Sequence, residues 1–188
     1  MRVRRRLQPA SSATLPPLAP PRPAAHAPRP LPAGRGRPTV TVSTTRGEFT
    51  VALWPDVAPA TVDSFRELAR SDYYDDTEIH RVVPNFVVQA GDPTGTGLGD
   101  PGYALRCELS PRQYARGTVG MALSGKDTGG SQFFVALSRQ PHLDAHYTAF
   151  GEVTDGMDVV DLLEEGDAIT DVEIAVADRK PAALAQAP

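Results

Sequence analysis

A chain of 188 residues with a formal net charge of −4 and a single cysteine accommodates one domain and excludes an internal disulfide framework. Its charge is divided: residues 1–38 carry eight Arg and no acidic residue, while the remaining 150 hold all 23 acidic residues against eleven basic ones, which sets a +8 segment before a −12 domain. That acidic balance excludes nucleic acid as a specific ligand, and no run approaches the roughly 20 apolar residues of a membrane span.

Residues 1–38 also hold ten of the 19 prolines and show neither helical nor strand period. So much proline with so few large apolar groups cannot offset the entropy of ordering, and a disordered Pro/Arg-rich arm is expected. "MRVRRRL" resembles the charged start of a secretion signal. No apolar stretch of about 7–15 residues follows it, so the expected location is cytoplasmic. The domain proper is expected over 39–180, with 181–188 a disordered tail.

"TVTVST" (Thr39–Thr44) alternates as a strand, "RG" turns, and "EFTVALW" (Glu48–Trp54) alternates again, which predicts a hairpin. "APATVDSFRELARSDYY" switches to helical spacing, with Pro59 suited to a first turn and Val62, Phe65, Leu68 and Ala69 on one stripe. "EIHRVV" and "FVVQA" read as short strands parted by Pro84-Asn85, and "GDPTGTGLGDPGY" as a loop without period. "GTVGMAL", "QFFVAL" and "YTAFGEV" are strand-like. "GMDVVDLL" is a short helix with Met157, Val160 and Leu163 inward, and "ITDVEIAVA" is a last strand carrying Val172, Ile174 and Val176. Eight short strands with mostly antiparallel connections must close on themselves or leave edges exposed. The expected fold is therefore mainly β, a closed eight-stranded antiparallel β-barrel capped by two α-helices.

Several chemistry-like motifs dissolve on inspection. "GMALSGKD" has the G-x-x-x-x-G-K spacing of a phosphate loop, but Asp127 stands where Ser or Thr must hold magnesium, and no long crossover helix follows. Gly95, Gly97 and Gly99 are explained by turns. His142 and His146 have metal-ligand spacing without a helical stripe or a third ligand, so no metal is expected. Ser131 lacks the glycine of a nucleophile elbow. His80 is either a general base or a hydrogen-bonded structural histidine.

What remains is Arg81, Gln89 and Gln132 threaded among apolar residues. Strand alternation puts Arg81 and Val83 on one face, and Phe86 and Phe134 sit at or near strand ends, able to line a shallow apolar pocket. A guanidinium and amides beside such a pocket suit an uncharged ligand with backbone carbonyls. The competing reading is an Arg buried against a carboxylate.

"IHRVVPNFVVQAGDPTGTG" and "GMALSGKDTGGSQFFVALS…PHLDAHYTAFGEV" resemble the cyclophilin-type peptidyl-prolyl cis–trans isomerases, from about Thr39 to Ala177. The resemblance implies an eight-stranded barrel with two helices and an active groove on its outer face. It implies that Arg81 is the catalytic arginine, assisted by Gln89. Phe86, Val87, Phe134 and Leu143 then match the proline pocket, Gln132 a polar group beside it, and Ala122 and Leu123 the segment whose backbone pairs with substrate. His142 stands where many members carry Trp, and Tyr147 where they carry His, as in bacterial members; weak cyclosporin binding at most follows. Ile79, Val87, Leu123 and Ser124 also depart from the best-known pattern. The implied partners are proline-containing peptides and protein clients, with no cofactor, and a monomer is expected. A proline-peptide binding module without turnover is the alternative.

Overall fold

The computed structural model describes residues 37–175, so the arm before Arg37, the tail and Val176 lie outside the described residues. Strands β1 (Thr39–Thr44) and β2 (Gly47–Leu53) form the expected hairpin, pairing Thr44 with Gly47 across Thr45-Arg46. Strand alternation turns Val40, Val42, Phe49, Val51 and Leu53 inward. Trp54, read as the end of β2, leaves the sheet and joins a second apolar cluster on the outside.

Helix α1 (Pro59–Arg70) begins on its proline and buries Thr61, Val62, Phe65, Leu68 and Ala69. Ala58 cannot cap it. Glu108 does so from 47 residues away, accepting from Ala60 N–H at 3.0 Å, Thr61 N–H at 2.8 Å and Thr61 Oγ1 at 2.7 Å. A carboxylate there satisfies amides that have no partner within the helix and meets the positive end of its dipole. Glu108→Ala is expected to cost about 1–2 kcal/mol and to lower Tm by roughly 3–8 °C in a thermal melt.

The other strands are β3 (Arg81–Val83), β4 (Val87–Ala90), β5 (Thr118–Met121), β6 (Phe133–Ala136), β7 (Ala149–Asp155) and β8 (Ile169–Ala175), with α2 (Met157–Leu162) before the last. They form one curled antiparallel sheet ordered β3-β4-β6-β5-β7-β2-β1-β8. The closed barrel read from the sequence is corrected here: β3 and β8 form no ladder. Among the described residues the edges meet where Glu78 bridges Ala168, supported by Ile79 N–H to the Asp167 carbonyl (2.7 Å), Gly166 N–H to the Ile79 carbonyl (3.0 Å) and Ile169 N–H to the Thr77 carbonyl (2.9 Å). Beyond that point β3 is cut to three residues by the Pro84-Asn85 turn. Its Val82 N–H donates to the Glu165 carboxylate at 3.1 Å instead of to a strand.

Alternation separates two cores. Phe133 and Val135 of β6 face the interior with Phe65, Tyr74, Val88, Val119 and Phe150. Phe134 and Ala136 face outward, with Trp54, Val87, Tyr114, Leu143 and Ala149. The outer cluster carries the site.

Candidate active site

One row of outward residues crosses five strands. Arg81 pairs with Gln89, Gln89 with Phe134, Phe134 with Gly120, and Gly120 with Ala149. Period-2 geometry puts all of them on the same face, so a guanidinium, an amide and an aromatic ring stand in line.

Arg81 is exposed and donates to Gln89 Oε1 at 3.3 Å, with its guanidinium 5.5 Å from the centre of the Phe86 ring. Among the described residues it makes no ion pair, which removes the carboxylate-paired reading. Gln89 Nε2 donates to Gln132 Oε1 at 3.0 Å, and Gln132 Nε2 donates to the carbonyls of Gly97 (3.1 Å) and Gly99 (2.9 Å). These bonds fix which way both amides point and leave the Gln89 oxygen toward Arg81.

The glycine loop therefore has a function that turns alone do not express. Asp92, fully buried, organises it by accepting from Thr94 N–H (2.7 Å), Thr94 Oγ1 (2.8 Å), Gly97 N–H and Gly99 N–H (3.2 Å). Burial pushes the Asp92 carboxyl up, but the bonds from Thr94, Gly99 and Gly97 outweigh it and hold the group below the usual carboxylate range. "GDPT" was the available signal, because Asp before a turn bonds amides just beyond it. A groove of about 610 Å³ lies between this loop and Ala122-Leu123, with Gln89 and Gln132 at its inner edge.

Beside Arg81, through Phe86, is the outer apolar cluster. Phe86 stacks on His142 at 5.4 Å, and Phe134 meets Tyr147 edge-on at 6.0 Å. Val87 and Leu143 are buried between them in the same cluster. Pro141–Leu143 forms a 3₁₀ turn where the sequence suggested only a loop, and this turn presents His142 outward and Leu143 inward. Of the residues singled out for the site, Phe86, Val87, Ala122, Phe134, Leu143 and Tyr147 belong to the outer cluster, with His142 stacked on Phe86, Leu123 lines the groove, and Arg81, Gln89 and Gln132 are joined by hydrogen bonds.

The decoys find other employment. His146 Nδ1 lies 2.7 Å from the Asp144 carbonyl while His142 stacks on Phe86, so the two rings serve different neighbours. Asp127 accepts from Cys107 N–H at 2.9 Å. Ser131 Oγ donates to the Gly91 carbonyl at 2.7 Å. His80 departs from the hydrogen-bonded histidine expected, since both of its ring nitrogens are buried without a partner among the described residues.

Residues that the motifs did not point to complete the cluster. Tyr114 lies under Phe134 at 5.7 Å with planes 25° apart, and its N–H donates to Asp144 Oδ1 at 2.8 Å. Asp144 also pairs with Arg139, and these two donors hold its carboxyl below the usual range.

A family profile described as "Cyclophilin type peptidyl-prolyl cis-trans isomerase/CLD" matches residues 39–180. The chain is 45% identical over 124 residues to peptidyl-prolyl cis-trans isomerase B of Bacillus subtilis, spanning 65% of this chain and 87% of that protein. It is 41% identical over 136 residues to a peptidyl-prolyl cis-trans isomerase of Helicobacter pylori, spanning 70% and 83%. Among solved structures it resembles a cyclophilin type peptidyl-prolyl cis-trans isomerase of Cryptosporidium parvum, with TM-score 0.71 and 31% identity over 74% of this chain and 98% of that one. The same protein crystallised in the presence of the dipeptide Ala-Pro gives TM-score 0.69 at 31% identity, over 73% and 99%.

Proposed function

The chain belongs to the cyclophilin-type peptidyl-prolyl cis–trans isomerases and catalyses rotation about X-Pro peptide bonds, and from that premise we propose which of its residues do the work. Arg81 is the catalytic donor and Gln89 its partner. Phe86, Val87, Phe134 and Leu143, rimmed by His142 and Tyr147, receive the prolyl ring. Ala122, Leu123 and Gln132 hold the peptide beside it. The observation that carries this reading is an exposed guanidinium that, among the described residues, bonds to an amide and not to a carboxylate, beside the Phe86 ring that packs on the outer apolar cluster.

The X-Pro amide is planar because its nitrogen lends its lone pair to the carbonyl, so rotation faces a barrier of about 18–20 kcal/mol. Uncatalysed, it takes tens to hundreds of seconds. Halfway through the turn conjugation is lost, and the nitrogen becomes pyramidal and basic. A donor aimed at that nitrogen binds the twisted form better than either planar one, and only such differential binding accelerates the step. A guanidinium suits the role because it is always charged, rigid and fork-shaped. Its neutral bond to Gln89 orients it without neutralising it, which a carboxylate partner would do.

The outer cluster grips the prolyl ring and excludes water, while amide and backbone groups along the groove anchor one side of the bond as the other swings. No bond is made or broken, so the steps described draw only on groups of this chain. Proline-containing segments of unfolded or folded proteins are the proposed substrates. The relatives are peptidyl-prolyl cis-trans isomerases by name, which does not favour a binding module without turnover. Exchange NMR on a short Ala-Pro peptide tests the proposal. Cis and trans resonances are expected to interconvert far faster with a few mole per cent of protein. Shifted peptide resonances without exchange would mark binding alone and defeat it.

A further inference from the structure

The geometry points to Tyr114 as the positioning residue of the prolyl-ring pocket, acting through Phe134 over a gap that only Gly120 leaves open. This inference rests on the reading that Phe134 meets the prolyl ring.

Phe134 is 5% exposed, and its orientation is set from two sides. Tyr147 meets it edge-on, and Tyr114 lies beneath it in a stacked arrangement. The tips of the Phe134 and Tyr114 rings converge above Gly120. A Cβ added there would lie 2.5 Å from Phe134 Cζ, 2.5 Å from Tyr114 Oη and 2.8 Å from Tyr114 Cε1. Gly120 is not among the glycines with positive φ, so it is required here for space and not for backbone conformation. Central strands seldom tolerate glycine without such a close approach.

The main chain of Tyr114 is anchored as firmly as its ring. Its N–H donates to Asp144 Oδ1 at 2.8 Å, and its carbonyl accepts from Gln140 N–H at 2.8 Å and Arg139 Nη1 at 3.3 Å. Those three partners flank Pro141–Leu143, the turn that carries His142 and Leu143. One buried residue therefore joins two parts of the cluster, Phe134 through its ring and the 3₁₀ turn through its backbone.

The Tyr114 hydroxyl has no hydrogen-bond partner among the described residues, although the side chain is fully buried. A buried unpaired hydroxyl destabilises a fold, so phenylalanine at this position should be the more stable choice if the ring were merely filler. What the oxygen adds is volume at the ring tip, above Gly120 and beside Phe134 Cζ. Removing it leaves Phe134 free to settle toward the sheet and draws the pocket wall away from the prolyl ring.

The test compares three variants of the full chain, each by thermal melt and by NMR measurement of KM and kcat on one Ala-Pro peptide. Tyr114→Phe is expected to raise Tm by a few degrees, to raise KM about three- to tenfold and to leave kcat nearly unchanged. Gly120→Ala is expected to raise KM more, with a lower Tm. Phe134→Leu reports on the underlying reading and should raise KM at least as much as Tyr114→Phe. A stabilised Tyr114→Phe with unaltered KM, beside a Phe134→Leu that does raise KM, would reduce Tyr114 to filler and overturn the inference. Unaltered KM in Phe134→Leu would remove the pocket assignment itself, and the inference with it.

Discussion

Arg81→Ala is expected to slow turnover about a hundred- to thousandfold, the loss of roughly 3–4 kcal/mol that follows removal of one preorganised donor to a developing charge. Stability should change little. Arg81 is exposed on a short edge strand, and its one hydrogen bond among the described residues, at 3.3 Å to Gln89, is long. Peptide affinity should also fall far less than kcat, because the proposed grip on the prolyl ring comes from Phe134, Val87 and Leu143 and not from Arg81. Arg81→Lys separates charge from geometry. The ammonium keeps the charge and has three donors, but it lacks the rigid planar fork that fixes their directions toward the Gln89 oxygen and the prolyl nitrogen, so only partial recovery is expected. Exchange NMR on one X-Pro peptide measures all three proteins, and turnover unchanged in Arg81→Ala would end the assignment.

The largest effect on stability is expected from Asp92→Asn. The carboxylate is wholly buried and accepts from two hydrogen-bond donors of Thr94 and from the amides of Gly97 and Gly99. Asparagine turns one acceptor oxygen into a donor that faces those amides, at an expected cost of about 2–4 kcal/mol. The neighbourhood cannot relax to absorb it. Gly99 approaches so closely that a Cβ there would lie 2.0 Å from Asp92 Oδ1.

The pH dependence has a definite sign. Because its hydrogen bonds outweigh the effect of burial, the folded carboxyl titrates below its ordinary value. Its contribution is then complete above the unfolded pKa of about 3.9 and disappears as pH falls through the lower folded value. Thermal melts from about pH 7 to about pH 3 should show the wild type losing its advantage over Asp92→Asn at the acid end. A gap that stays constant across that range would mean that the ionised carboxylate is not what holds the loop. Gln132 supplies a second readout. Its side-chain amide, bonded to Gly97 and Gly99, should lose protection from hydrogen exchange in the variant.

The alternation within each strand, such as Arg81 sharing a side with Val83, was legible in advance because it depends on backbone period alone. A strand alternates every two residues whatever it pairs with. The helical stripe of α1 was legible on the same ground, with Val62, Phe65, Leu68 and Ala69 buried as the 3.6-residue period requires. That Arg81, Gln89 and Phe134 share a side was decided by the register in which their strands pair. The resemblance motifs added roles that spacing could not supply.

Long-range geometry was not legible. Closure of the barrel depends on whether two edge strands run alongside each other for more than one residue, and the turn at Pro84-Asn85 ends β3 too soon. Glu108 capping α1, Asp92 ordering the glycine loop that bonds Gln132, and Tyr114 under Phe134 all join positions whose own neighbourhoods look ordinary. By itself, then, the sequence determined the alternation, the amphipathic helix and the cast of polar residues, because these follow from dihedral periods acting within a few residues. The tertiary structure alone decided which amide points at Arg81 and that Tyr114 packs against Phe134 in the outer cluster. Those features arise from contacts between strands far apart in the chain, where a few tenths of an ångström at a glycine settle which side chains can approach.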